Sequence, residues 1–243
     1  SDFNQMEQCV KRLHSQFDSL STLGKSIGLG ALAKQVVSIA DAGTELSNKL
    51  KLISEGELQH AQAMSAVYDI SLKTAQSTQA VSAVYQSFAQ NAKELGINQR
   101  QVADITETIS KAVAISGASA AEAQNSLTQF GQVLLMGKFR AQEYNSVMTQ
   151  TPAVMQAIAR GLGVTMSELK AMSDEGKLTT DKIIQALEKS KSAIDGLYAK
   201  TSTTVSGATQ NLSTATQKLV SDLNDAVGGT QKLVNGLDWL AKN

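Results

Sequence analysis

His14, His60, Cys9, the run Gly24, Lys25 and Ser26, and the adjacent Asp174 and Glu175 are the residues whose types could do chemistry. Zinc needs three or four His, Cys or acidic ligands converging at short spacing. His14 and His60 fall in separate helical segments with no acid or cysteine at that spacing, so both read as helix-surface histidines. Cys9 is the single cysteine, which excludes an internal disulfide framework and a cysteine metal site. It reads as a free thiol, with pairing to Cys9 of a neighbouring copy as the alternative. Gly24, Lys25 and Ser26 match the end of a phosphate-binding loop, but Ser19 replaces the earlier glycine and no strand precedes it. Gly28, Gly30 and Ala33 fail as a dinucleotide fingerprint for want of the same strand. Asp174 and Glu175 could act as acid and base on a sugar, yet they flank Gly176, where a solvated turn is expected and no burial would raise a carboxyl pKa. The sequence thus predicts no catalytic, cofactor-binding or metal-ligating residue, and no enzyme.

The elements that carry these residues are legible from their ends. Ser54 with Glu57, Ser119 with Glu122 and Thr165 with Glu168 each spell a capping box, and Pro152, the one proline, follows Thr151 at a first helical position. Gly137, Gly161, Gly163 and Gly176 follow periodic apolar residues, where a left-handed C-cap suits glycine. Asn98 starts a helix with Val102, Ile105, Ile109 and Ala112 on one face. A long helical region is expected from Ser54 to about Gly96, with Leu58, Ala61, Met64, Val67 and Tyr68, then Val81, Val84, Tyr85 and Phe88, on its apolar face. Phe130, Leu134, Ile158, Leu169, Ile183 and Leu187 are the expected core, with Pro152, Val154, Leu162 and Met172 packing beside them.

Both ends follow a different rhythm. Phe3, Met6, Val10, Leu13, Phe17, Leu20 and Ile27 keep a/d heptad spacing. After a bend or hairpin expected near Gly24 to Gly30, Leu32, Val36, Ile39, Gly43, Leu46, Leu50 and Ile53 resume it. Tyr198, Val205, Leu212, Leu219, Ala226, Leu233 and Leu240 recur every seven residues with Thr, Ser, Ala or Gly at many partner positions, a weak seam suited to a helix that pairs only in an assembly. The sequence therefore predicts an all-α chain: a small multi-helix module of short capped helices flanked by longer heptad-patterned arms. The expected divisions are an arm over 1–53, a helical domain over 54–195 and an extension over 196–243.

Composition narrows the function classes. Ala, Ser, Thr and Gln supply 98 of the 243 residues and aromatics only 4%, so helix faces carry little bulk to bury. With 22 basic and 22 acidic residues, the chain lacks the positive field that grips phosphates, which argues against tight nucleic-acid binding. No run of 18 apolar residues occurs, and nothing resembles a secretory signal. The first residue is Ser rather than Met, which suggests processing or excision from a longer chain.

From Ser116 to Leu187 the spelling closely resembles the tape measure domain of long-tailed bacteriophages. The resemblance rests on the S-G-x-S-x-x-E helix start at Ser116, the helix of Leu127, Phe130, Val133 and Leu134 ending at Gly137, and the T-P-A-V-M run at Thr151. It continues in the L-G-V-T-x-x-E-L turn at Leu162 and the E-G-K-L-T-T-D segment at Glu175. A weaker similarity extends back to about Ile53. Where the family usually has a glycine and paired glutamates, this chain has Lys138, Phe139, Arg140, Ala141, Gln142 and Glu143. The resemblance implies a structural tail protein that occupies the tube lumen, sets tail length and is released at genome ejection. It further implies self-association in a few copies and, as partners, tail tube protein, tail assembly chaperones and tail tip proteins. A role in crossing the host membrane is implied as well, with residence in the virion tail and, during assembly, the host cytoplasm. Two other readings compete: a helical secretion or translocator protein that perturbs membranes, and a cell-wall hydrolase fragment.

Overall fold

The computed structural model describes residues 29–227 apart from 138 and 203, and side chains from residue 38 to 222 apart from 135, 138 and 203. Among these residues the chain is all helical. It runs α1 (Leu29–Lys51), α2 (Glu57–Thr74), α3 (Thr78–Leu95), α4 (Gln99–Ile115), α5 (Ala120–Leu135), α6 (Ala141–Gln150), α7 (Pro152–Leu162), α8 (Met166–Asp174), α9 (Thr180–Tyr198) and α10 (Val205–Val227). Residues 42–221 form one compact unit; the described residues 29–41 and 222–227 belong to a second. The heptad positions Phe3 to Ile27, with Cys9, His14, Gly24 and Gly28, lie outside the described residues, as do Leu233 and Leu240.

The capping chemistry places most of the helix starts. Ser119 Oγ accepts the Glu122 N–H at 3.3 Å while Glu122 Oε2 accepts the Ser119 N–H at 2.8 Å. Thr165 and Glu168 close the same reciprocal pair at 3.2 and 2.7 Å. Asn98 and Gln101 form a third, both bonds 3.0 Å, in which glutamine does the work of glutamate. Backbone bonding within the Glu122 and Glu168 pairs holds both carboxyls below their ordinary pKa.

Three expectations are corrected. Ser54 does not cap α2: its hydroxyl donates back to Leu50 O at 2.7 Å, Gly56 stands at the N-cap, and Gln59 Oε1 instead accepts the Glu55 N–H. The region 54–96 is two helices, broken at Ala75, which takes the left-handed conformation at φ 54°, and restarted by Ser77, whose hydroxyl accepts the Ala80 N–H. Leu58 points to solvent, 75% exposed, because α2 turns Val67, Tyr68 and Ile70 inward instead.

α4 is the central helix and contacts α2, α3, α5, α7 and α9. Val102, Ile105, Ile109 and Ala112 are all buried along it. The tightest pairings are α3 with α5 and α7 with α9. Their closeness follows from missing side chains: a Cβ at Gly131 would stand 2.9 Å from Ala83 O, and one at Gly161 only 1.9 Å from Ala186 O. Leu46 and Leu50 of α1 join the same core, with Ile53 packed against it. Many buried hydroxyls are satisfied inside their own helix. Thr74, Ser87, Thr106 and Thr108 donate to the carbonyl four residues back at 2.7 to 2.9 Å.

Candidate functional site

Among the described residues, those with chemical potential do not converge. His60 lies between α1 and α2, with Nε2 3.2 Å from both the hydroxyl and the carbonyl of Ser47, so it ties two helices together. Asp174 and Glu175 sit at the exposed end of α8, each paired with a lysine: Lys170 at 2.9 Å and Lys177 at 2.6 Å. Among the described residues no three His, Cys, Asp or Glu side chains are placed to hold a metal ion.

The glycines and core residues of the short-helix region have definite places. Gly137, Gly163 and Gly176 take positive φ of 75°, 68° and 65° just past α5, α7 and α8. Gly161 departs from the C-cap reading, since it lies inside α7 where the backbone of α9 approaches too closely for any side chain. Pro152 is the first residue of α7. Phe130, Leu134, Ile158, Leu169, Ile183 and Leu187 are all at most 2% exposed. Val154 is buried, whereas Leu162 and Met172 are partly buried against the core.

Phe139 is a centre of this region that the sequence reading passed over. It is fully buried, with its ring 5.4 Å from that of Phe130. Its N–H donates to Leu178 O at 2.9 Å, its carbonyl accepts from Ser173 Oγ at 3.1 Å, and the Thr180 N–H reaches Gly137 O at 3.3 Å. These bonds pin the segment after α5 to the one before α9, on either side of α6 to α8. An aromatic residue two positions after a C-cap glycine was the available signal. Its charged neighbours Lys138 and Arg140 obscured it.

The polar centre is electrostatic. Lys111, with its side chain 9% exposed, bonds Glu107 one turn back and Asp195 on α9, both at 2.5 Å, and Glu107 also pairs with Lys73 of α2 at 2.7 Å. Burial pushes the Glu107 carboxyl up, but the two lysines outweigh it and hold the pKa below its ordinary value. Burial likewise favours the neutral form of Lys111, and its two acids reverse that, raising its pKa. Lys111 lies 5.9 Å from the centre of the Tyr198 ring, and the Tyr198 hydroxyl donates to Lys73 O at 2.6 Å. Lys191 with Asp104 at 2.6 Å and Gln101 with Glu188 at 3.2 Å continue the seam along α4 and α9. Each lysine in it is paired with an acid, and Glu188 accepts from the Gln101 amide instead, so the arrangement clamps helices together. The i,i+4 spacing of Glu107 and Lys111 was visible in sequence; the partner on α9 was not.

A polar cleft of about 240 Å³ opens between α1, the start of α3 and α10, lined among others by Glu45, Lys49, Gln79, Gln210 and Gln217. Thr78 Oγ1 donates to Gln217 Oε1 across it at 2.8 Å. No helix among the described residues is long and apolar enough to cross a membrane.

Comparison with known proteins adds the family. No curated protein and no solved structure matches this chain. The family model described as "Tape measure protein" matches residues 34–225, about four-fifths of the chain and nearly the whole helical span given above. A match of that extent identifies the chain as a member of the tape measure protein family, structural components of phage tails.

Proposed function

We propose that this chain is part of a tape measure protein that lies in the tail tube lumen during assembly, sets tail length and leaves ahead of the genome. The observation that carries the reading is the family match across 34–225. A net charge of zero suits a protein that must slide out of a tube without gripping its wall or the DNA. Within the ruler, residues 54–195 lie inside a folded station that spans 42–221 and takes in the end of the amino-terminal arm and the start of the carboxy-terminal extension, and copies lie side by side. Tube protein surrounds them, assembly chaperones hold them in the host cytoplasm, and tip proteins meet one end. Asp174 and Glu175 act as solvated turn residues rather than as catalysts, so the purified chain has no muralytic activity.

Tail length decides the matter. Deleting residues 54–195 in frame from the parent gene removes 142 residues, counting 54 and 195 inclusively. A straight helix of that length would span about 210 Å, whereas a compact body of that size is only about 40 Å across. Tails shortened by roughly the smaller figure, measured by electron microscopy, are expected for a folded station on a ruler. Unchanged tails containing the shortened protein would refute the ruler; shortening near the larger figure would refute the folded station.

A further inference from the structure

α10 is held to its unit without a share of the core. Every helix from α1 to α9 gives residues to the hydrophobic core, from Leu46 and Leu50 to Ile194, and the described part of α10 gives none. Its apolar residues mostly face away: Val205 is 86% exposed, Leu212 61% and Leu219 41%, with Ala208 and Ala215 exposed beside them, and only Val220 is buried. Docking therefore removes little apolar surface of α10 from water, and that removal is the main source of helix adhesion. What holds the helix is polar. Thr78 donates to Gln217 at 2.8 Å, the Lys218 ammonium lies 5.6 Å from the centre of the Tyr68 ring, and Ser221 packs beside Gly43. The open cleft leaves part of this seam unpacked. Asn211 Oδ1 is buried without a hydrogen-bond partner, a cost that release into water removes.

We propose that residues 205–221 form a strap that lifts off the module as a unit while the core of α1 to α9 stays folded. The pivot is the turn after Tyr198. That residue is fixed, its hydroxyl donating to Lys73 O at 2.6 Å, whereas Ala199, Lys200, Thr201, Ser202 and Thr204 are all exposed. Lifting breaks the polar contacts just named and leaves no cavity in the core, so it takes less free energy than unfolding the module. The freed strap loses its helix. Residues 205–221 include three threonines, three serines, an asparagine and a glycine, all weak helix formers, and a helix of that length is marginal alone. Freed, the segment spans about 25 Å as helix and up to roughly 60 Å fully extended, so under tension it is a length reserve that yields before the module does. That use of the strap rests on the ruler reading.

Hydrogen exchange read by mass spectrometry tests the release in the 243-residue chain. After correction for intrinsic rates, amides of residues 210–218 should exchange at least about tenfold faster than those of 105–113 in α4. A staple supplies the control: a Cβ at Gly43 would stand 3.7 Å from Ser221 Cβ, within disulfide reach. In a Cys9→Ser chain carrying Gly43→Cys and Ser221→Cys, oxidation should slow the 210–218 amides at least about tenfold and leave 105–113 as in the reduced protein. Thr78→Val, which removes the bond to Gln217, should speed the strap alone by about fivefold. Equal protection of strap and α4 overturns the proposal, since α10 then opens only with the whole module. Fast exchange that oxidation leaves unchanged overturns it too, as does a cysteine pair that fails to oxidise, because α10 is then not docked as a strap. None of these results bears on the tail-length deletion, and unchanged tails there would leave the strap standing without its ruler role.

Discussion

Replacing Gly161 by Ala adds one methyl group and should unfold the module more readily than any comparable change in its helices. In an unobstructed helix interior the same change stabilises by about 1 kcal/mol, through helix propensity and reduced freedom of the unfolded chain. At Gly161 the new Cβ would stand 1.9 Å from Ala186 O, 2.5 Å from its carbonyl carbon and 2.6 Å from its Cα. Reaching ordinary contact requires α7 and α9 to separate by about 1.5 Å, the shortfall of 1.9 Å from 3.4 Å. No rotamer relieves it, because the obstacle is backbone. Separation also stretches the buried bond from Ser190 Oγ to Ala157 O, now 2.6 Å, worth about 1 kcal/mol. Overpacking of this kind costs roughly 1–3 kcal/mol, and with the bond lost and the propensity gain set against each other the net loss is about 1–3 kcal/mol. For a domain of this size that lowers Tm by on the order of 2–12 °C. Urea denaturation of Gly161→Ala against wild type measures it, with Gly196→Ala on α9 as reference, since nothing lies within 4 Å of that Cβ. The reference should match or exceed wild type. Adding Ala186→Gly to Gly161→Ala should not restore stability, because the clash is with main-chain atoms. A Gly161→Ala protein as stable as wild type, or rescued by Ala186→Gly, would refute the close-approach argument.

Three further outcomes follow from the same packing. Phe139→Ala should cost about 3–5 kcal/mol by leaving a cavity against Phe130, and a loss below about 1 kcal/mol in chemical denaturation would show the site can collapse around it. Ala75→Gly should raise stability by about 0.5–1 kcal/mol, because a left-handed alanine is strained where glycine is not; a lower Tm would count against the turn as described. Glu107 has its pKa lowered by folding, so its contribution is complete above the ordinary carboxyl range and disappears as pH falls through the folded value. Glu107→Gln should therefore lose about 1–3 kcal/mol near neutral pH, with the gap to wild type closing below about pH 4; a gap constant across that range would remove the clamp from the ledger of stabilising contacts.

Local signals carried much of the fold. The boxes at Ser119 and Thr165 and the proline at Pro152 each depend on neighbours within four residues, which sequence displays directly. Ser54 misled because a serine just past a helix can bond backward to Leu50 as readily as it caps the helix ahead. The break at Ala75 was hidden because alanine favours helix, yet here it takes the left-handed C-cap position that glycine usually fills, with its own N–H and that of Gln76 bonded back to Ser71 O. Gly161 shows the same limit from the other side: a glycine two residues before another looks like a terminus, and only the position of α9 reveals why it is small. The clamp on Lys111 and the burial of Phe139 depend on residues 84 and 39 positions away, counted as 195 less 111 and 178 less 139, a separation no periodicity encodes.

The placement of α9 bears on how the protein is made. Translation supplies α1 to α8 first, and at that stage α4 lacks Asp195 and Lys191 as partners and α7 has no helix to receive Gly161. Ala157 O then has no Ser190 hydroxyl to accept from, and Lys111 is short of one of its two counter-charges. A nascent chain halted at the α8 turn is thus an incomplete body with sticky faces, and only emergence of the last module helix from the ribosome shuts it. The chain is most in need of a holding partner during synthesis rather than after it.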